Sequence, residues 1–158
     1  MDSMVYDLNS HLTYRLARLQ AQLNAQASGI LKTHAQISLS EWRVLAVLSN
    51  PDVKTQKDMM RAVSLDKGQI SRTVKRLEAK QLVEQNAPAH DHRQRHVTLS
   101  ERGTALVKRI SPIMMKRQAH LQSEFTDEAL DTLFSLLGKL EQKTGPIPDL
   151  SLIKNLKD

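Results

Sequence analysis

The chain has 158 residues, 40% hydrophobic and 25% charged, which is the balance of a globular protein able to bury its own core and not of a disordered one. It holds no cysteine, which excludes disulfides, thiolate metal sites and thiol redox sensing. A net charge of +6 points to a polyanionic partner, while an aromatic content of 3% argues against modules that stack unpaired bases on rings.

The first ten residues carry no basic start followed by an apolar run, so a secretory leader is not expected. Nor does any apolar stretch reach the roughly 18 residues that span a bilayer. A soluble, cytoplasmic protein without a membrane partner is expected. Leu8, Leu12, Leu16, Leu19 and Leu23 then recur at three- and four-residue steps, one face of an amphipathic helix. Ala17, Ala21, Ala25 and Ala27 favour that helix, and Gly29 is its expected stop. At about 20 residues and roughly 30 Å it has more apolar edge than a small domain covers, so part of it is expected to pack against a partner.

Ser38-Leu39-Ser40-Glu41 is a capping-box pattern that opens a second helix, whose buried face is Trp42, Leu45, Ala46 and Leu48. Asn50-Pro51-Asp52 reads as a turn. Thr55-Gln56-Lys57-Asp58 caps a short third helix bearing Met59, Met60 and Val63, and a fourth starts at Asp66 with Ile70, Val74 and Leu77 at helical steps. Leu82 to Gln85 and Arg95 to Leu99 read as two strands joined by a long polar tip. Ser100 caps a fifth helix with Ala105, Leu106, Ile110 and Met114 on one side and Pro112 within reach to kink it. Thr126, Asp127 and Glu128 start a last helix with Leu130, Leu133, Phe134, Leu137 and Leu140, which Gly145-Pro146-Ile147-Pro148 ends.

Three helices followed by a two-strand hairpin make a winged helix-turn-helix, a mainly α fold with a small β-hairpin wing. With the inner stripe of the fourth helix at Ile70, Val74 and Leu77, its other face presents Gln69, Arg72, Thr73 and Arg76. Lys67, Ser71 and Lys75 lie beside them. Arginine and glutamine are the residue types that read guanine and adenine edges in a major groove. Lys75, Arg76 and Lys80 are better placed for phosphates. From Lys54 to Arg109 there are 13 basic and 6 acidic residues, a net +7 against +6 for the whole chain. The cationic field therefore belongs to this segment. At the hairpin tip, Arg93 and Arg95 suit a narrow minor groove, with Asp91 able to orient or partly neutralise Arg93.

The run Asp91-x-Arg93-x-x-x-Val97-x-Leu99-Ser100-x-x-Gly103 resembles the wing signature of the MarR family, the multiple-antibiotic-resistance-type regulators. Leu39-Ser40-Glu41-Trp42-Arg43-Val44-Leu45 and Leu65-Asp66-Lys67-Gly68-Gln69 resemble the same family, and the likeness spans essentially the whole chain. Ser100 stands where the family more often has Thr, and Gln81 where it usually has Gly. The resemblance implies a single domain over 1–158, with dimerisation helices at 1–30 and 104–158 and a DNA-binding winged helix-turn-helix at 38–103. It implies a homodimer on a pseudo-palindromic duplex DNA operator, a repressor released by a small ligand. It also implies a ligand pocket among the first, second and fifth helices, here His11, Tyr14, Arg15, Arg18, Trp42 and Arg43, where arginine beside an apolar cleft favours an aromatic or aliphatic carboxylate.

Other readings weigh less. His90-x-His92-x-x-x-His96 lies on a hairpin whose spacing imposes no metal geometry, so neither metal nor cofactor is expected. There is no Gly-x-Ser-x-Gly elbow or phosphate-cradling glycine loop, so an enzyme is not expected. A winged-helix module that binds protein rather than an operator is the alternative.

Overall fold

Five helices begin where a short polar side chain satisfies the orphan amides of a first turn. The structure is a computed structural model that describes residues 7–53, 55–63, 65–86 and 96–144. Ser38, Thr55 and Asp66 each form a reciprocal capping box, with Glu41, Asp58 and Gln69, at the heads of α2 (Leu39–Leu48), α3 (Gln56–Ala62) and α4 (Lys67–Ala79). Ser100 Oγ accepts from the Gly103 amide at 3.0 Å to start α5 (Glu101–Gln122), and Thr126 Oγ1 accepts from the Ala129 amide at 3.3 Å to start α6 (Asp127–Lys143). No described helix is long and apolar enough to cross a membrane.

The first helix differs from expectation at both ends. Leu8 belongs to a separate 3-10 turn, Leu8–Ser10, and α1 runs Leu12–Ala35. It passes straight through Gly29, where an added Cβ would touch nothing. The stop is Gln36, which turns left-handed at φ 53° while its amide still donates to the Lys32 carbonyl.

The chain divides into two compact units, Met1–Met114 and Met115–Asp158. In the first, Leu31 and Ile37 around the end of α1, Val44 and Leu45 of α2, and Met59 of α3 meet Ile70, Val74 and Leu77 of α4. Strands β1 (Val83–Asn86) and β2 (His96–Leu99) pair antiparallel from Val83↔Leu99 to Asn86↔His96, and Val83 and Val97 point inward to the same core. On α5 the buried stripe is Gly103, Leu106, Val107 and Ile110. Ala105, expected on that side, is exposed because it sits about 200° around the helix from Gly103. On α3, Met59 is buried and Met60 turns outward. Pro112 lies inside α5 without ending it.

Gly103 is required by a close approach: a Cβ there would lie 2.0 Å from the Leu82 carbonyl oxygen. The same carbonyl accepts from the Ser100 amide, and Ser100 Oγ donates to the Gln81 carbonyl at 2.8 Å. Gln81 itself is left-handed at φ 56°. The start of α5 is thus clamped to the turn that leads from α4 into the hairpin.

The second unit holds the rest of α5 and α6. None of the residues of α6 is buried: Leu130, Leu137 and Leu140 are half-covered, whereas Leu133 and Phe134 are exposed. The Gly145 to Pro148 stop lies outside the described residues.

Candidate nucleic-acid interface

Helix α4 presents two opposite surfaces. Its inner stripe of Ile70, Val74 and Leu77 is fully buried, and Lys67, Gln69, Arg72, Lys75 and Arg76 are exposed, with Ser71 half-buried. The helix is anchored at its start by Asp66, whose Oδ1 accepts from the Gln69 amide at 2.7 Å. Gln69 Oε1 accepts in return from the Asp66 amide at 3.0 Å. That engagement matters chemically. A glutamine pairs bidentately with adenine through both its oxygen and its NH2 group, and here one lone pair of that oxygen is engaged by the cap.

Thr73 and Lys80 depart from the expected outward placement, and Arg76 keeps it while touching both Thr73 and Glu41. Thr73 is buried: its hydroxyl donates to the Gln69 carbonyl at 2.7 Å and accepts from Arg76 Nη2 at 3.1 Å. It steers Arg76 and is not itself presented outward. Arg76 also has its Nε 3.8 Å from Glu41 Oε1, though half of its side chain remains exposed. Lys80, expected beside the phosphates, turns inward, with Nζ 3.0 Å from Glu41 and 3.2 Å from the Gln36 carbonyl. The attraction is Glu41 itself, a carboxylate whose side chain is 3% exposed. Burial pushes its pKa up, but the Ser38 amide and the Lys80 ammonium outweigh that and hold it below the ordinary carboxylate value.

Glu41 therefore does two jobs. It closes the capping box of α2, accepting from the Ser38 amide at 2.7 Å, and it ties the far end of α4 to the junction of α1 and α2. The capping pattern in the sequence announced the first role. Nothing in the local pattern announced the second.

Asp91, Arg93 and Arg95 lie outside the described residues, as do His90 and His92. The strands that carry the hairpin, ending at Asn86 and resuming at His96, are in place on either side.

Of the expected ligand-pocket residues, Trp42 and Arg43 come together at a depression of about 570 Å³ between α1, α2 and α3. Gln20, Asn24, Ala46, Val47, Ala62 and Val63 complete its lining. His11, Tyr14, Arg15 and Arg18 do not line it. They sit nearer the start of α1, where Tyr14, Arg15 and Arg18 are exposed. Asn24, which the sequence reading missed, accepts from Arg43 Nη2 at 3.2 Å and from Gln20 Nε2 at 2.8 Å. The i,i+4 spacing of Gln20 and Asn24 was the available signal.

A profile of the MarR family matches residues 35–94. A MarR/EmrR family transcriptional regulator from Acinetobacter sp. ADP1 shares 32% of residues and superposes with a TM-score of 0.81, over 87% of this chain and 96% of that one. MepR of Staphylococcus aureus, solved as a DNA complex, is 21% identical with a TM-score of 0.77, over 84% of this chain and 96% of its own. BpsR of Bordetella bronchiseptica, solved to explain regulation of its DNA binding by 6-hydroxynicotinic acid, is 19% identical with a TM-score of 0.66, over 80% and 98%. At those two lower identities the likeness speaks for the fold, a winged helix carried on long helices.

Proposed function

This chain belongs to the MarR family, and from that premise we propose that it is a homodimeric repressor that binds a pseudo-palindromic duplex DNA operator. The observation that carries the reading is α4: a fully buried apolar stripe backed by an exposed face of Lys67, Gln69, Arg72, Lys75 and Arg76. A solvated surface helix would mix signs evenly, whereas the exposed residues of α4 hold four cations, Lys67, Arg72, Lys75 and Arg76, against one carboxylate, Glu78, which accepts from Gln85 Nε2 at 2.8 Å. Arg72 and Lys67, near the N-terminal end, reach base edges with the Gln69 NH2, and Lys75 and Arg76 neutralise phosphate. Arg93 and Arg95 of the hairpin, with Asp91 beside them, extend into the minor groove.

Two such helices must stand about 34 Å apart to enter successive major grooves. Each unit leaves apolar residues uncovered that can pair with a second copy, Leu12, Leu16 and Leu19 of α1 in the first and Leu133 and Phe134 of α6 in the second. A small aromatic carboxylate seated at Arg43 and Trp42 would release the operator by binding one spacing better than the other. BpsR, whose DNA binding 6-hydroxynicotinic acid regulates, is similar in fold and supports this ligand class. The protein acts in the cytoplasm, where its operator is.

The test is a titration of the full chain on DNA flanking its own gene at several salt concentrations. Affinity falls steeply with salt as phosphate contacts release counterions. Arg93→Ala weakens binding evenly across sequences, while Arg72→Ala also relaxes base preference. Wild-type affinity and specificity in both variants would overturn the reading, and salt-independent binding to a protein instead of DNA would favour the interaction-module alternative.

A further inference from the structure

The described residues hold a second concavity, unrelated to the Trp42 depression, where the ends of α1 and α4 meet the start of α5. It is a cleft of about 620 Å³, within the range of small-molecule sites. Lys80, Arg102 and Arg109 line it, and no acidic residue does. Ile37, Leu82, Ala105 and Leu106 supply an apolar floor.

The cations are not equivalent. Lys80 is held by Glu41 and the Gln36 carbonyl. Arg109 Nη1 donates to the His34 carbonyl at 3.0 Å, which orients its guanidinium and leaves four N–H groups. Arg102 has one long hydrogen bond, 3.4 Å to Gln81 Oε1. Seven residues apart, Arg102 and Arg109 share one face of α5, with a rise of about 10 Å between them.

We propose that this cleft is a binding site for a small organic anion, a carboxylate or phosphate on an apolar body, gripped by Arg102 and steadied by Arg109. Arginine's fixed fork suits either acid group bidentately, and the apolar floor takes the body of the ligand. The duplex is not its occupant: the cleft is at the Ala79–Gln81 end of α4, about 18 Å along the helix from Lys67. The occupant touches both left-handed turns at once, Gln36 and Gln81, and lies against Lys80, whose bond to Glu41 ties α4 in place. It therefore also biases how α4 is held. That last step rests on the operator reading above; the site itself does not.

The full chain is titrated with benzoate, phenyl phosphate and neutral benzamide while backbone amide shifts are followed by NMR. An anion should move the amides of Gln36, Gln81 and Ala105 along one saturating curve, with benzamide weaker and Arg102→Gln weakening that curve about tenfold. The stronger of benzoate and phenyl phosphate identifies the acid group. Shifts confined to Ala46 and Val47, equal binding of benzamide, or an Arg102→Gln curve matching wild type would overturn the proposal. So would loss of DNA affinity and salt slope in Arg102→Gln without ligand, which would assign the cleft to the phosphate backbone. In an Arg43→Gln background, which removes the anion partner of the Trp42 depression, saturating benzoate should change DNA affinity, and adding Arg102→Gln should abolish that change; an unchanged affinity in the Arg43→Gln background would overturn the link to α4. A chain that binds no DNA defeats the operator reading, while the shift titration still decides the site.

Discussion

Helices α4 and α6 are both amphipathic by spacing, yet their apolar stripes meet different fates. Ile70, Val74 and Leu77 of α4 are fully buried within one chain. On α6, Leu133 is 41% and Phe134 54% exposed. Periodicity says that a helix has a face to cover and is silent about what covers it. Where the chain closes over the stripe, the helix becomes a stiff platform for the cations on its back. Where it does not, the apolar residues stay open to solvent, and in the proposed homodimer a second copy covers them.

The comparison breaks most severely at Gly103. Gly103→Ala drives a Cβ into the Leu82 carbonyl at 2.0 Å, a backbone overlap no rotamer relieves. A loss of about 3 kcal/mol or more is expected in urea unfolding, and a near-neutral result would refute the clamp between α5 and the α4–β1 turn.

The pair Leu77→Ala and Leu133→Ala sharpens it. The first empties a buried site and costs about 3 kcal/mol. The second costs the dilute single chain roughly 0.5 kcal/mol or less and instead raises the concentration at which the protein dimerises by sedimentation. Equal losses in the two would erase the distinction between the helices.

Glu41→Gln comes next, at about 1–3 kcal/mol, because it removes the charge that Lys80 and the Ser38 amide are arranged around. The Glu41 pKa is lowered in the folded chain. Its stabilisation is therefore complete above the unfolded carboxylate value and is lost as pH falls through the folded one. The variant should lack that part of the acid-side decline in stability, and an identical pH profile would remove Glu41 as the tie between α2 and α4. Gln81→Gly has the opposite sign: it relieves a left-handed non-glycine residue at φ 56° and should stabilise by up to about 1 kcal/mol. Destabilisation would mean that the Gln81 side chain's contact with Arg102 outweighs the strain.

Much of the reading head was legible because its signals are local. Ser38, Thr55 and Asp66 each announce a helix start within four residues, and α2, α3 and α4 begin there. The stripe of α4 was also legible, since helical geometry alone puts Ile70, Val74 and Leu77 together. Gly29 misled because glycine is a common stop without being a sufficient one. The effective stop, Gln36, carries no compositional mark, and its left-handed turn lets the chain leave α1 for α2.

The sequence by itself determined where most helices begin, which face of α4 is apolar and where positive charge concentrates, because each follows from residues within a turn or two of one another. The tertiary structure alone decided that Thr73 is buried beneath Arg76 and that Lys80 turns from solvent to Glu41, 39 residues away. It alone decided that Gly103 is indispensable, through the carbonyl of Leu82. Those outcomes depend on which distant surfaces meet, and a buried carboxylate draws whatever cation packing brings within reach.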